Sequence, residues 1–284
     1  MGLNNREFKE LEKLQKKSGF TKLSVAEQRR LERLDGINSS NKQVVEKPKW
    51  NADRKDRKMN IIPKSEAQAL TLDSMCKNKI TVASGSVASG KTAVTCWKAG
   101  NDVVAGVVKK ILITRPNTPL GNRHNGFRAG DLFTDKLYGY HLPMIEYLSD
   151  IFGRKAVDMQ ISNPEGFIQI VDFEALRGQT FGRNRDESCW VLCDESQLLD
   201  SAEIDCVMSR VGKYAKVALM GDPSVHQREN TEDSGLVYLE KLVKQYDIPD
   251  VGFIKYRVRD ICRSDFVYDY VVAMQKYRKY DVEY

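Results

Sequence analysis

Ile80-Thr-Val-Ala-Ser-Gly85-Ser-Val-Ala-Ser-Gly90-Lys91-Thr92 is the stretch on which the fold turns. A β-rich apolar run leads into a full match to GxxxxGK[ST], and the helix-compatible run AVTCWKAGNDVVAG comes next at 93–106. Strand, glycine-framed loop and helix are the three parts of a phosphate loop. Gly85 and Gly90 permit backbone angles that turn the N–H groups of Ser86, Val87, Ala88 and Ser89 inward around an anion. The next helix points its positive N-terminus at the same place. Lys91 has the reach for β- and γ-phosphates, and the Thr92 hydroxyl suits Mg²⁺. The loop specifies nucleoside-triphosphate binding and leaves the reaction open.

Outward from the loop, apolar runs recur at 111–114 (ILIT), 167–171 (FIQIV), 190–193 (WVLC), 217–220 (VALM) and 252–256 (GFIKY). Amphipathic stretches at 134–150, 234–245 and 264–278 separate several of them. Continuous apolar runs mean strands buried on both faces, and their alternation with helices means a mainly parallel sheet with crossover helices. The expected fold is α/β, one phosphate-loop domain over 61–284.

Two strand ends carry carboxylates. WVLC runs into Asp194-Glu195-Ser196-Gln197, and VALM into Gly221-Asp222-Pro223. An acid at a buried strand's end beside a phosphate loop is the expected partner of Mg²⁺ there, so Asp194 joins Thr92 as a metal residue. Glu195 discriminates between chemistries. A kinase passes its phosphoryl group to a hydroxyl, whereas a hydrolase must orient and deprotonate water, which a carboxylate can do. In a parallel sheet the C-terminal strand ends form one edge, which places Asp222 near the γ-phosphate.

The 284 residues are 41% hydrophobic and 30% charged, ordinary for a globular protein with a real core. No run approaches the roughly 18 apolar residues of a membrane span, and MGLNNREFKE has no apolar signal core. Six scattered cysteines without a CxxC pair argue against a disulfide framework or zinc site and for a reducing, cytoplasmic setting. The net charge is +6, yet residues 1–60 hold 16 Lys+Arg against 9 Asp+Glu, which leaves −1 for the rest. That stretch reads as a basic arm of two short helices and a linker, suited to a polyanion or simply to solvation. The second helix opens with the capping box Ser24-Val-Ala-Glu27.

The loop 115–131, RPNTPLGNRHNGFRAGD, carries Arg115, Arg123 and Arg128 with Phe127 among Gly and Asn. Such a loop can track a phosphate backbone and offer a base a stacking face; it can equally be a polar solvent loop.

The ordered set GSVASGKT, ILITRP (111–116), GFRAGDLFTDK (126–136), LRGQTF (176–181), CDESQ (193–197), GDPS (221–224), SGL (234–236) and DICRSDFV (260–267) resembles the PhoH family. These are phosphate-loop ATPases related to superfamily 1 helicases, and the likeness covers about 61–278. The resemblance implies a RecA-like domain with ATP and Mg²⁺ as cofactors. It also implies that Gln68 reads the adenine edge, that Arg263 stabilises charge at the γ-phosphate, and that Arg177 and Arg115 lie in nucleotide, nucleic-acid or subunit contacts. Relatives carry Gln four residues after the glycine of GDPS. Here Val225 stands there, with His226 and Gln227 after it, which leaves Gln227 as the substitute. Catalysis would then rest on Glu195, Lys91 and Arg263.

The expected partner is single-stranded nucleic acid, RNA slightly before DNA, and no membrane. One phosphate-loop domain has no second body to move against, so the resemblance implies a homo-oligomeric ring, a hexamer. A nucleotide-gated assembly protein with little turnover is the alternative, and a phosphate-loop kinase a more distant one.

Overall fold

The computed structural model describes residues 59–116, 134–176, 178–223 and 234–277, together with Lys13, Arg30 and Leu31. The chain falls into two compact units, Met1–Lys47 and Pro48–Tyr284. Most of the basic arm, the loop with Arg123, Phe127 and Arg128, Arg177, and the Val225–Gln227 segment lie outside the described residues.

In the second unit the apolar runs become β1 (Ile80–Gly85), β2 (Lys110–Thr114), β3 (Ile168–Ile170), β4 (Cys189–Cys193), β5 (Ala215–Gly221) and β6 (Val251–Tyr256). They form one sheet in the order β3-β2-β4-β5-β1-β6, and every pairing is parallel. Both faces of the central strands are apolar because both are covered. On one face Ile111, Ile113, Trp190, Leu192 and Met220 pack with Met75, Leu148 and Phe152. On the other, Leu112, Val191, Val217 and Leu219 pack with Ile204, Leu236 and Leu239. This two-sided burial is what replaces the alternating pattern of a half-exposed strand by uninterrupted apolar runs.

The helices are α1 (Glu66–Lys77), α2 (Lys91–Val104), α3 (Thr134–Phe152), α4 (Arg154–Ile161), α5 (Phe173–Leu176), α6 (Ser201–Ser209), α7 (Gly235–Tyr246) and α8 (Asp265–Tyr277). The periodicity of the sequence predicts α2, α3, α7 and α8 within two residues of their observed ends. It does not predict α1, α4 or α6. The buried side of α1 is Ala67, Gln68, Thr71, Ser74 and Met75, largely polar and so invisible to a hydrophobic pattern. Its buried hydroxyls are satisfied: Thr71 bonds Tyr256 Oη at 2.8 Å and Ser74 bonds Thr81 Oγ1 at 2.9 Å. α6 begins instead with a capping box, Asp200 accepting from the Glu203 N–H while Glu203 accepts from the Asp200 N–H.

α3 contains Pro143, which has no N–H to offer the carbonyl four residues back. Apolar packing of Met144, Ile145 and Leu148, each at most 1% exposed, keeps the segment helical across it. Among the described residues no helix is long and apolar enough to cross a membrane.

Because all six strands run the same way, the ends of β1, β2, β4, β5 and β6 lie along one edge. The carboxylates, the glycine-framed loop and Lys91 are assembled on that edge.

Candidate nucleotide site

β1 ends in Gly85 with φ +115°, and a Cβ there would collide with the carbonyl oxygen of Tyr256, the last residue of β6. Only glycine fits this turn. The same Tyr256 carbonyl accepts from the Ser86 N–H at 3.0 Å, so the neighbouring strand holds the loop's first turn. Ser89, fully buried, donates its hydroxyl to the Ser86 carbonyl at 2.7 Å and closes the loop from within. Ala88 takes a left-handed φ of 58°. Gly90 is the N-cap of α2 and no side chain caps that helix.

Lys91 Nζ donates to the carbonyls of Gly85 at 2.7 Å and Ser86 at 2.6 Å. Burial lowers its pKa, and the charges of Asp222, Asp194 and Glu195 push it back up. One lysine therefore faces three carboxylates from two different strand ends. The Thr92 hydroxyl lies 3.3 Å from both oxygens of Asp194. The Asp194 N–H is fixed on the carbonyl of Thr114 at 3.1 Å, so pairing of β4 with β2 places this carboxylate. Its pKa is raised to about 6, first by burial and then by the adjacent Glu195 charge.

Glu195 has a left-handed φ of 54°, unusual for a residue with a long side chain. Arg115 Nη2 sits 3.4 Å from its Oε1, and Gln197 Nε2 donates to its Oε2 at 2.6 Å. Gln197 Oε1 in turn accepts from the Asp222 N–H at 3.2 Å. Arg115 also donates to the Tyr140 carbonyl in α3 at 3.3 Å. The sequence places Arg115 at the start of a loop that suits either a nucleic-acid backbone or solvent; in the fold its guanidinium is turned to Glu195.

Gln68 is 3% exposed. It accepts from the Lys64 N–H at 2.8 Å and donates to the Ser89 carbonyl at 2.9 Å, so it ties α1 to the phosphate loop. Behind the same loop the Cys262 N–H donates to the Ala88 carbonyl at 3.2 Å. Arg263, one residue on, is exposed. The structure thus brings Gln68, Gly85–Thr92, Asp194, Glu195, Asp222, Arg115 and the approach to Arg263 onto one edge. Arg123, Phe127, Arg128, Arg177 and Gln227 are not described there.

These groups suit a nucleotide with Mg²⁺. Ser86 Oγ is buried with no partner, and the uncapped start of α2 presents backbone N–H groups, two features that favour an anion. One hydroxyl and one carboxylate, Thr92 and Asp194, are what Mg²⁺ takes from a protein when phosphates and water complete its shell. Among the described residues no group of three or more His, Cys, Asp or Glu could hold a metal by itself.

Sequence reasoning missed Gln197 as a member of the site, although it lies two residues beyond Glu195. Its partner, the Asp222 backbone, belongs to a different strand, and only strand order makes them neighbours. The holds of Tyr256 and Cys262 on the loop were missed for the same reason.

Residues 60–275 match the family model described as PhoH-like protein. A PhoH-like protein of Bacillus subtilis is 27% identical over 217 residues, covering 76% of this chain and 65% of that one. Protein PhoH of Escherichia coli K12 is 26% identical over 204 residues, covering 72% and 55%. The chain thus spans between about half and two thirds of the length of these relatives. Among solved structures, the large terminase of a thermophilic bacteriophage, determined in complex with ADP, matches at 14% identity and a TM-score of 0.41, over 75% of this chain and 50% of that one.

Proposed function

This chain belongs to the PhoH-like protein family, and from that premise and the geometry of the sheet edge we propose that it binds ATP with Mg²⁺ and hydrolyses it. The observation that carries the reading is the convergence of Lys91, the Thr92–Asp194 pair and Glu195 at the ends of β1 and β4. In this reading the phosphate loop and the start of α2 bind the phosphates through backbone N–H groups. Lys91 leaves the loop carbonyls for the outer phosphates. Thr92 and Asp194 would hold Mg²⁺, which supplies charge neutralisation on the phosphate oxygens. Glu195 orients a water and takes its proton. A kinase passes its phosphoryl group to a hydroxyl and has no water for that carboxylate to activate.

The activity is further proposed to be linked to single-stranded nucleic acid, RNA slightly before DNA, with translocation or unwinding in a homo-oligomeric ring, a hexamer by resemblance. The basic excess in residues 1–60 and the arginines of the 115–131 loop support a polyanionic partner. A second copy would supply the body against which a single phosphate-loop domain moves, and Arg263 the charge at the γ-phosphate.

ATP hydrolysis at low salt, with and without single-stranded RNA and DNA, tests the proposal beside Glu195→Gln. Turnover raised by one polymer and abolished by the substitution supports it. Tight binding of ATP with no turnover under any of these conditions overturns the catalytic reading in favour of a nucleotide-gated scaffold.

A further inference from the structure

Glu195 is gripped from two sides, and the two grips come from different strands. Arg115 comes directly after β2, and Gln197 lies just past β4 but reaches across to the end of β5. Gln197 uses both halves of its amide at once. Nε2 donates to Glu195 Oε2 at 2.6 Å, and Oε1 accepts from the Asp222 N–H at 3.2 Å. The amide is seated over Gly221, where a Cβ would come within 2.5 Å of Gln197 Oε1. β5 therefore keeps its last residue bare of a side chain at the point where this amide crosses it.

We propose that Gln197 is a positioning residue that sets the Glu195 carboxylate according to the backbone at Asp222; this rests on the ATP-hydrolysis reading above. Three features support it. Glu195 adopts a left-handed backbone that a free loop residue would not hold without a partner. Asp222 is 6% exposed and its charge acts on Lys91, so its backbone lies where an outer phosphate would be felt. A side-chain amide can also donate to a carboxylate through its nitrogen while accepting from an N–H through its oxygen. A shift of Asp222 on phosphate binding or release would pass through a single rigid amide to the carboxylate that orients water. The hydrogen bonds of the Gln197 amide go to Glu195 and the Asp222 backbone rather than to the Lys91 or Thr92 side chains, so it acts on turnover through Glu195 and not on phosphate binding.

The test compares Gln197→Met and Gln197→Glu with the unsubstituted chain in steady-state ATP hydrolysis, in Mg-ADP binding and in thermal unfolding. Methionine keeps length and removes both hydrogen bonds. Glutamate keeps the acceptor for Asp222 and sets a like charge against Glu195. The expected result for Gln197→Met is a fall in kcat of roughly tenfold to a hundredfold, the worth of a hydrogen bond to a charged group. KM and Mg-ADP affinity should stay within about twofold. Gln197→Glu should lose at least as much kcat even though it retains the Asp222 contact. A kcat within twofold of the unsubstituted chain, a raised kcat, or losses in kcat, KM and thermal midpoint together overturn the proposal and leave ATP hydrolysis standing. Absence of turnover in the unsubstituted chain overturns both.

Discussion

The Thr92 hydroxyl lies 3.3 Å from both carboxylate oxygens of Asp194, across 102 positions of sequence. Thr92 lies in the first turn of α2, after β1, and Asp194 follows the last residue of β4, with β5 between those strands. The pair is therefore a product of strand order, and it carries a cost: burial and Glu195 hold the Asp194 pKa at about 6.

That cost has a sign. A carboxyl whose folded pKa is raised holds its proton more tightly in the folded state. Stability then falls as pH rises from the unfolded value of 3.8 to about 6, and the penalty is in full force above that. Asp194→Asn should abolish Mg²⁺-dependent hydrolysis and yet stabilise the metal-free protein at pH 8 by about 1–3 kcal/mol. The gain should vanish near pH 4. Thermal unfolding in EDTA at both pH values checks this; no gain at pH 8 would contradict it.

Gly85→Ala should be strongly destabilising. Its φ of +115° and the approach of the Tyr256 carbonyl leave no room for a methyl group. We expect a loss of about 2–4 kcal/mol in urea unfolding, together with loss of nucleotide binding. A variant that melts normally and binds ATP would mean that β1 and β6 can part at this point without loss.

Gln68→Ala separates two roles for one side chain. The amide spans Lys64 and Ser89, so its removal loosens the phosphate loop whatever base is bound. Binding of ATP and GTP should weaken together, by roughly threefold to thirtyfold for one or two lost hydrogen bonds. Weakening confined to ATP would instead mark Gln68 as a reader of adenine.

Thiol reactivity tracks burial. Cys189 and Cys193 have pKa values pushed up to about 12 by burial, and Cys96 is raised as well for the same reason. Only Cys76, Cys206 and Cys262 have exposed surface. Iodoacetamide at pH 8 should label those three in the native protein and the others only after denaturation, as read by mass spectrometry. Mg-ATP should slow labelling at Cys262 alone, since its N–H is bonded to Ala88 of the loop.

Much of the fold was legible in one dimension because its signals are local. The run 80–92 declares strand, turn and helix through glycine placement and residue chemistry. The other strands announce themselves as apolar runs because the sheet is covered on both faces. Where burial is polar, as on α1, or the element is short, as in α4, that signal is absent. Here the hydrogen bonds of Thr71 and Ser74 do what an apolar stripe does elsewhere.

The site divides along the same line. Residue types and spacings identify Gly85–Thr92, Asp194, Glu195 and Asp222, because phosphate, Mg²⁺ and water each demand particular atoms at a strand end. They do not say that Arg115 turns from its loop to Glu195, that Gln197 bridges to the Asp222 backbone, or that Tyr256 and Cys262 hold the phosphate loop. Those contacts join segments far apart in sequence or on different strands, through single hydrogen bonds or one ion pair, and leave no periodic trace. They exist because six parallel strands in the order β3-β2-β4-β5-β1-β6 bring their ends to one edge, and only that packing decides which ends are within reach of one another.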